Sequence, residues 1–429
     1  MGQLKKVYIP ESKYPRVLVI GAGFAGIHLA KALKNLPFQV VILDKNNFHQ
    51  FQPLLYQVAT SGLEPDSIVF PVRKIFRGFK NLVFRMADVI SIEANDKHVK
   101  TDIGIISYDY LVIATGSTNN FYGMADVEGY SIGLKSIQEA LDVRSNMLQN
   151  IEKAAQSNDT LEKSKNTTIV IVGAGPAGVE MAGALAEFRK YIYKKDYPEL
   201  EDFPMHVHLV EAGNEVLSAM TKKSSKDTLK DLKRLKIKVH LDTAVNSYNG
   251  DKVELSNGET ILATSLIWTA GVKGQFPDGI HPDVIVKGNR IAVDQFNRVK
   301  GSEDVFAIGD ISFMESEAYP NGHPMVAPTA IQQGEHLAKN LNLDRTDWKP
   351  FKYFDKGSLA TIGKKRAVAD LGKLHFRGMF AWFIWSTVHL MSISGFKNKL
   401  RVGLNWLNSY FSYDKGNRVI IRKYKHAKA

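Results

Sequence analysis

The chain has 429 residues, a formal net charge of +12, 44% hydrophobic and 23% charged residues, the composition of a globular protein with room for two or three domains. It contains no cysteine, which excludes disulfides, redox-active thiols, iron–sulfur clusters and cysteine-ligated zinc, and no other metal-ligand spacing stands out. Residues 371–429 set eleven Lys and Arg against Asp414 alone and so carry +10, leaving +2 for residues 1–370; a nearly neutral body is not expected to bind nucleic acid.

The first residues lack the apolar run of a secretory leader, and Lys6 stands where a myristoylation motif needs Ser or Thr, so neither processing is expected. Residues 17–20 read as a buried strand that runs into Gly21-Ala22-Gly23-Phe24-Ala25-Gly26 and then a helix over 24–35. This G-x-G-x-x-G pattern is a phosphate cradle. Its first glycine makes the tight turn, the second lets amides approach a pyrophosphate, and the third lets helix pack on strand. A second strand, residues 39–44, ends in Asp44, 23 residues beyond Gly21, the spacing at which an acid meets adenosine ribose hydroxyls. Residues 47–59 are rich in aromatics and amides without clean periodicity, suiting a loop around a planar ring or core packing under a long connection.

Residues 82–84, 88–92 and 98–101 predict a small antiparallel meander, and residues 108–116 a return strand ending in Ala-Thr-Gly. An amphipathic helix over 137–153 and a polar linker over 156–166 follow. Strand 169–172 then opens a second cradle, Gly173-Ala174-Gly175-Pro176-Ala177-Gly178. Its acidic strand end is Glu211, 38 residues beyond Gly173, because residues 191–203 read as an insertion. A carboxylate there suits a ribose diol and repels a 2′-phosphate, favouring NADH over NADPH; a helix-capping or salt-bridged glutamate is the other reading. A second return strand spans 265–271, and strand 304–308 delivers Gly309-Asp310 to a sheet end, where in a flavin site the aspartate would hold a ribityl hydroxyl. Two cradles imply two dinucleotides, and a thiol-free chain that holds both is expected to pass electrons between bound organic cofactors.

In this order the pieces resemble the two-dinucleotide-binding-domain flavoproteins, and more narrowly the type II NADH:quinone oxidoreductases. The marks are the run from His49-Gln50-Phe51-Gln52-Pro53-Leu54-Leu55-Tyr56 to Ala59, the second cradle with Val179-Glu180, Ile267-Trp268-Thr269-Ala270-Gly271, Gly309-Asp310 and the basic-aromatic C-terminus. The resemblance implies an α/β fold of two Rossmann-like domains, the NAD domain inserted into the FAD domain. Its expected bounds are an FAD-binding part over 1–120, an NADH-binding domain over 121–289, a second FAD-binding part over 290–370 and a C-terminal amphipathic helical, membrane-anchoring region over 371–429. It further implies FAD as prosthetic group, NADH as donor and a membrane quinone as acceptor. Gly21, Gly23, Phe24, Ala25, Gly26, Asp44, Gln52, Thr115, Gly116, Gly309 and Asp310 become candidates for the FAD seat. Gly173, Gly175, Gly178, Glu180, Glu211, Ala270 and Gly271 become candidates for the NADH seat. The family's quinone-side motif resembles A-Q-x-A-x-Q-x-G, and here it reads Ala327-Pro328-Thr329-Ala330-Ile331-Gln332-Gln333-Gly334. Pro328 replaces the first glutamine and has no side-chain donor or acceptor, leaving Gln332, or Gln333, for the quinone.

The resemblance implies hydride transfer from nicotinamide C4 to flavin N5, which the protein would serve by orienting the two rings. Glu180, early in the second cradle's helix, is the candidate for steering the nicotinamide or relaying protons; complementing the helix dipole is its alternative. His49 and His389 read as packing residues. Residues 378–396 are uncharged, and as a helix would reach about 28 Å. Ser386, Thr387, His389, Ser392 and Ser394 interrupt the stretch, and Leu400, Leu404, Leu407 and Phe411 share a helical face beyond it. An interfacial anchor on an anionic membrane surface fits better than a span; a dimer interface or core helix is the other use. The expectation is a non-proton-pumping, peripheral (monotopic) enzyme on the cytoplasmic face of the inner membrane, with a homodimer as a further possibility. The alternatives are a soluble FAD-dependent NADH reductase with oxygen or a protein acceptor, and a flavin-bearing redox sensor.

Overall fold

The structure, a computed structural model, describes residues 6–412 and 416–425, with side chains as far as Asn408 in the first range. Asp414, Lys415, Lys428 and the Phe411 side chain, which entered the reading of the tail, lie outside the described residues. The helices that position the site are, in chain order, α1 (Phe24–Ala32), α2 (Leu55–Ala59), α3 (Ile137–Gln156), α4 (Pro176–Phe188), α5 (Lys222–Arg234), α6 (Ala327–Leu341), α7 (Gly378–Ser392) and α8 (Phe396–Ser412). The chain forms two compact units, one from the segment up to His49 with Phe70–Thr118 and Val272–Asp355, the other from Gln50–Val69, Asn119–Gly271 and the chain from Lys356 onward.

The first unit is built on a five-stranded parallel sheet in the order Val305–Ala307, Tyr110–Ile113, Arg16–Ile20, Gln39–Asp44, Leu82–Met86. Its strands are apolar runs because both faces are covered. Val17 and Val19 pack with α1, α6 and Phe306, whereas Leu18 and Ile20 pack with Leu111, Ile113 and Ile291. The meander expectation is corrected here. Residues 82–84 do not pair with 88–92; they extend to Met86 and join the parallel sheet, with Val40 opposite Leu82. Leu82, Val83 and Phe84 are apolar on both faces, which a half-solvated hairpin cannot satisfy. The antiparallel sheet is Val89–Glu93, His98–Thr101 and Gly104–Ser107.

The second unit repeats the design, with a parallel sheet in the order Ile132–Gly133, Ser265–Trp268, Thr168–Val172, His206–Val210, Lys238–His240. The polar linker before it holds a helix, Thr160–Asn166, whose first N–H groups are capped by Asp159; a single aspartate cap turns a charged stretch helical. A three-stranded antiparallel sheet, Ser358–Thr361, Ala367–Leu371 and Leu374–Arg377, leads into α7. Gly395, at φ +84°, breaks the uncharged stretch so that α7 and α8 are separate helices. Among the described residues no helix is long and apolar enough to cross a membrane.

Candidate active site

The first cradle lies at the carboxyl end of Arg16–Ile20. Gly21 has φ +109°, and a Cβ there would fall 2.4 Å from the Ala114 carbonyl oxygen; one on Gly26 would fall 2.0 Å from the Gly21 carbonyl oxygen. Both must be glycine for turn, strand and helix to meet. Gly23 instead faces open space, the room a pyrophosphate needs. Asp44 reaches back to this loop, its Oδ2 accepting from Ala22 N–H at 2.7 Å and Oδ1 from Asn46 N–H at 2.7 Å. Burial raises its pKa and these amides pull it back. Ser117 donates to Asp310 at 2.6 Å, and Gly309 approaches Ala25 closely, within 3.1 Å of a Cβ placed on it. Gln333 Oε1 accepts from Gly309 N–H at 2.7 Å and Ser312 Oγ at 3.1 Å, while Gln333 Nε2 and Thr115 Oγ1 are buried without a protein partner. A glycine cradle, an acid at the neighbouring strand end and two orphaned polar groups suit a large polar cofactor such as FAD. His49 packs edge-on to Phe24 at 5.0 Å with Nδ1 3.1 Å from the Ala22 carbonyl, and burial lowers its pKa to about 4, as a packing residue should behave.

The second cradle repeats the geometry within the other unit. Gly173 has φ +98° against Ala270, and Gly175 faces open space. Glu211 Oε2 accepts from Ala174 N–H at 2.6 Å and Oε1 from Gly213 N–H at 2.9 Å, the counterpart of Asp44 despite the longer spacing. Gly271 lies against the Tyr122 hydroxyl. Gln52, expected beside FAD, belongs to this unit and donates to the Lys135 carbonyl at 3.3 Å.

Gln332 and Pro328 sit on α6 in the first unit. Pro328 occupies the first turn of α6, where its missing N–H costs no hydrogen bond. The Gln332 amide is paired at both ends with Phe354, donating to its carbonyl and accepting from its N–H, each at 2.9 Å.

Glu180 lies in the second unit, on the wall of a cleft of about 740 Å³ counted to its open mouth. Glu180, Ala184 and Glu187 present one face of α4; Tyr56, Gln57, Thr60 and Gly62 come from α2 and its following turn; Thr361, Gly363 and Lys364 from the antiparallel sheet; Trp382 and Trp385 from α7; Asn405 and Trp406 from α8. Glu180 is 7% exposed and accepts from Thr361 N–H at 3.4 Å. Burial pushes its pKa up to about 8, opposed by that amide and by the indole of Trp385, whose N–H makes no hydrogen bond of normal geometry. The Tyr56 hydroxyl is raised well above its ordinary range, by burial first and then by Glu180. It accepts from Gln57 Nε2 at 2.9 Å, and Gln57 Oε1 accepts from Trp406 Nε1 at 2.8 Å. Trp385 lies 5.3 Å from Trp406 and stacks on His389 at 4.2 Å, with the His389 pKa lowered to about 4 by burial. The cleft therefore pairs flat aromatic walls with one buried, protonated carboxyl. The sequence reading missed Tyr56, Gln57, Thr361 and the tryptophans as lining. Tyr56 and Gln57 lay in its aromatic-amide stretch and Trp382 and Trp385 share a helical face, whereas nothing local marked Thr361.

On α7 and α8, Met379, Phe380, Phe383, Met391, Phe396, Leu400, Leu404 and Leu407 each keep more than half their surface exposed. The basic charge nearby is less free than composition implied. Arg377 pairs with Asp227, Arg401 with Asp66, Arg418 with Asp196 and Arg422 with Asp142, so all four tail arginines meet acids within the unit.

Residues 15–334 match the family model described as pyridine nucleotide-disulphide oxidoreductase, and residues 356–412 match the NDH2 C-terminal domain. The type II NADH:quinone oxidoreductase NdhA of Mycobacterium tuberculosis is 32% identical, over 96% of this chain and 91% of its own length. The mitochondrial internal alternative NAD(P)H-ubiquinone oxidoreductase A1 of Arabidopsis thaliana is 28% identical over 93% and 85%. Among solved structures, NDH2 from Plasmodium falciparum in complex with NADH is similar in fold at TM-score 0.86, with 20% identity, over 96% of this chain and 100% of that one. The sulfide:quinone oxidoreductase of Aquifex aeolicus is similar in fold at TM-score 0.70, with 19% identity, over 92% and 95%.

Proposed function

Because the chain belongs to the type II NADH:quinone oxidoreductases, we propose a division of its chemistry between the two units. The protein is an FAD-dependent oxidoreductase that takes electrons from NADH and passes them to a quinone. The FAD seat is assigned to the first unit: Gly21, Gly23 and Gly26 for the pyrophosphate, Asp44 for the adenosine ribose, and Thr115, Gly309, Asp310 and Gln333 for the rest of the cofactor. The chemistry FAD supplies when bound is that of a two-electron carrier, reducible by NADH and oxidisable by quinone. Phe24, Ala25 and Gly116, in the same unit, are proposed as further FAD contacts. The NADH seat is assigned to Gly173, Gly175 and Gly178, with Ala270 and Gly271 beside them and Glu211 excluding a 2′-phosphate.

The quinone seat is assigned to the aromatic cleft, and the observation that carries this is Glu180. Quinone reduction consumes two protons as well as two electrons, and Glu180, buried on the cleft wall with its pKa pushed up to about 8, is suited to hold and deliver a proton as a general acid. Gln332 remains a second candidate for a quinone carbonyl, at the cost of its two bonds to Phe354. The exposed apolar face of α7 and α8 is proposed to rest on an anionic lipid surface at the cytoplasmic side of the inner membrane, peripherally; self-association through the same face is the competing use.

The test is spectroscopic. Anaerobic NADH should bleach the oxidised-flavin spectrum and a short-chain quinone should restore it. Restoration by oxygen or a ferredoxin but not by quinone would overturn the assignment.

A further inference from the structure

Away from both cradles, the second unit buries a compact polar cluster where α5 meets the antiparallel sheet. His375 Nδ1 lies 2.9 Å from Asp370 Oδ1 and 3.1 Å from Ser224 Oγ, and its Nε2 lies 3.2 Å from Asp227 Oδ2. Asp370 also accepts from Thr221 N–H and Ser224 Oγ, each at 2.9 Å, and Arg377 donates to Asp227 at 2.5 Å. The side chains of His375, Asp370 and Asp227 are 11%, 10% and 16% exposed. Burying two carboxylates against one imidazole is costly unless every partner stays in place, so the cluster tolerates one seating of the sheet on α5. An apolar contact would hold the sheet as firmly with less directional constraint.

What rides on that sheet gives the cluster a function. Its first strand ends at Thr361, which donates to Glu180, and its first turn brings Gly363 and Lys364 to the cleft. Ala367 and Ala369 pack against Ala381 of α7, the helix that carries Trp382 and Trp385, and Arg377 directly precedes α7. A shift of the sheet would therefore move the Glu180 hydrogen bond and the tryptophan wall together.

We propose that His375 is a positioning residue for quinone reduction: held between Asp370 and Asp227, it fixes the sheet that carries Thr361 and the tryptophans of α7 and so sets the shape of the quinone cleft. It touches neither substrate, and it rests on the assignment of that cleft to quinone.

The test uses the full-length, FAD-loaded enzyme with His375→Ala, His375→Gln and, should the alanine variant fold poorly, Asp227→Asn. His375→Ala should raise the quinone KM about tenfold while leaving the NADH KM and the rate of anaerobic NADH bleaching within about twofold. His375→Gln, able to reach one carboxylate, should recover part of the loss, and amide hydrogen exchange across 358–377 should quicken in the same order. An unchanged quinone KM, equal rises in both KM values, or a glutamine variant no better than alanine would overturn the proposal. Quenching of wild-type tryptophan fluorescence by a short-chain ubiquinone analogue, reduced in Trp406→Phe, checks the cleft independently. Its absence overturns the quinone assignment, whereas quenching with an unchanged KM in the His375 variants overturns only the role of His375.

Discussion

Two carboxylates of the same unit, Glu180 and Glu211, sit in opposite surroundings. Glu180 is taken out of water with a single backbone donor, so it keeps its proton until the pH rises through about 8. Quinone-limited turnover should therefore be steady at neutral pH and fall above pH 8. Glu180→Gln, neutral but unable to donate, should lose this limb and lower kcat with quinone about a hundredfold, read from stopped-flow and steady-state pH profiles. The sign for folding follows: the native state holds a proton that the unfolded chain releases in the ordinary carboxylate range, so this residue's contribution to stability falls as pH rises from there through about 8. Glu211 instead accepts two amide N–H groups at a strand end. Glu211→Ala should shift the NADPH-to-NADH ratio of kcat/KM about tenfold toward NADPH, equivalent to about 1.4 kcal/mol. An unchanged ratio would remove Glu211 from the ribose site.

At the scale of elements, helix α4 and the antiparallel sheet meet at a glycine. A Cβ on Gly183 would fall 2.6 Å from the Ile362 carbonyl carbon and 2.7 Å from its oxygen, backbone atoms that cannot rotate away. Alanine in a helix interior normally gains about 1 kcal/mol over glycine; here Gly183→Ala should instead lose about 1–3 kcal/mol through overpacking, measured by denaturant unfolding, and raise the quinone KM. Contacts of this kind mark the limit of what the chain reveals by inspection. Both cradles, Asp44, Glu211, Glu180 and the return strands were legible because each rests on local spacing and buried-strand patterning. Residues 82–84 were misassigned because an apolar run of that length fits a hairpin or a parallel edge equally well, and only the neighbouring strand decides. Thr361, Trp406 and His375 were invisible as members of a site because they meet Glu180, Gln57 and Asp227 across sequence separations that periodicity does not encode.

At the scale of the molecule, attachment to lipid has to be argued from apolar area more than from charge. With four of the eleven tail cations, Arg377, Arg401, Arg418 and Arg422, paired with acids of the same unit, the exposed phenylalanines, leucines and methionines of α7 and α8 carry more of the proposed attachment. Each buried phenylalanine contributes about 2 kcal/mol to partitioning. Phe383→Asp should therefore release the protein from liposomes in flotation, whereas salt at about 1 M, which shortens electrostatic reach to about 3 Å, should leave the wild type bound. Release of the wild type by salt alone would return the weight to charge.

The cleft draws its walls from segments as far apart as Tyr56 and Trp406, and this order of assembly matters during synthesis. The residues proposed for FAD are all present once Gln333 has been made, and the second cradle is complete earlier, with the strand Ser265–Trp268 and Gly271. The aromatic walls arrive only with α7 and α8. A nascent chain can thus complete both proposed nucleotide seats before it can close the proposed quinone cleft, and long-range closure of this kind is the slow part of folding. Trp406 is the last wall of the proposed quinone cleft to emerge, so that cleft closes only after both cradles have been made.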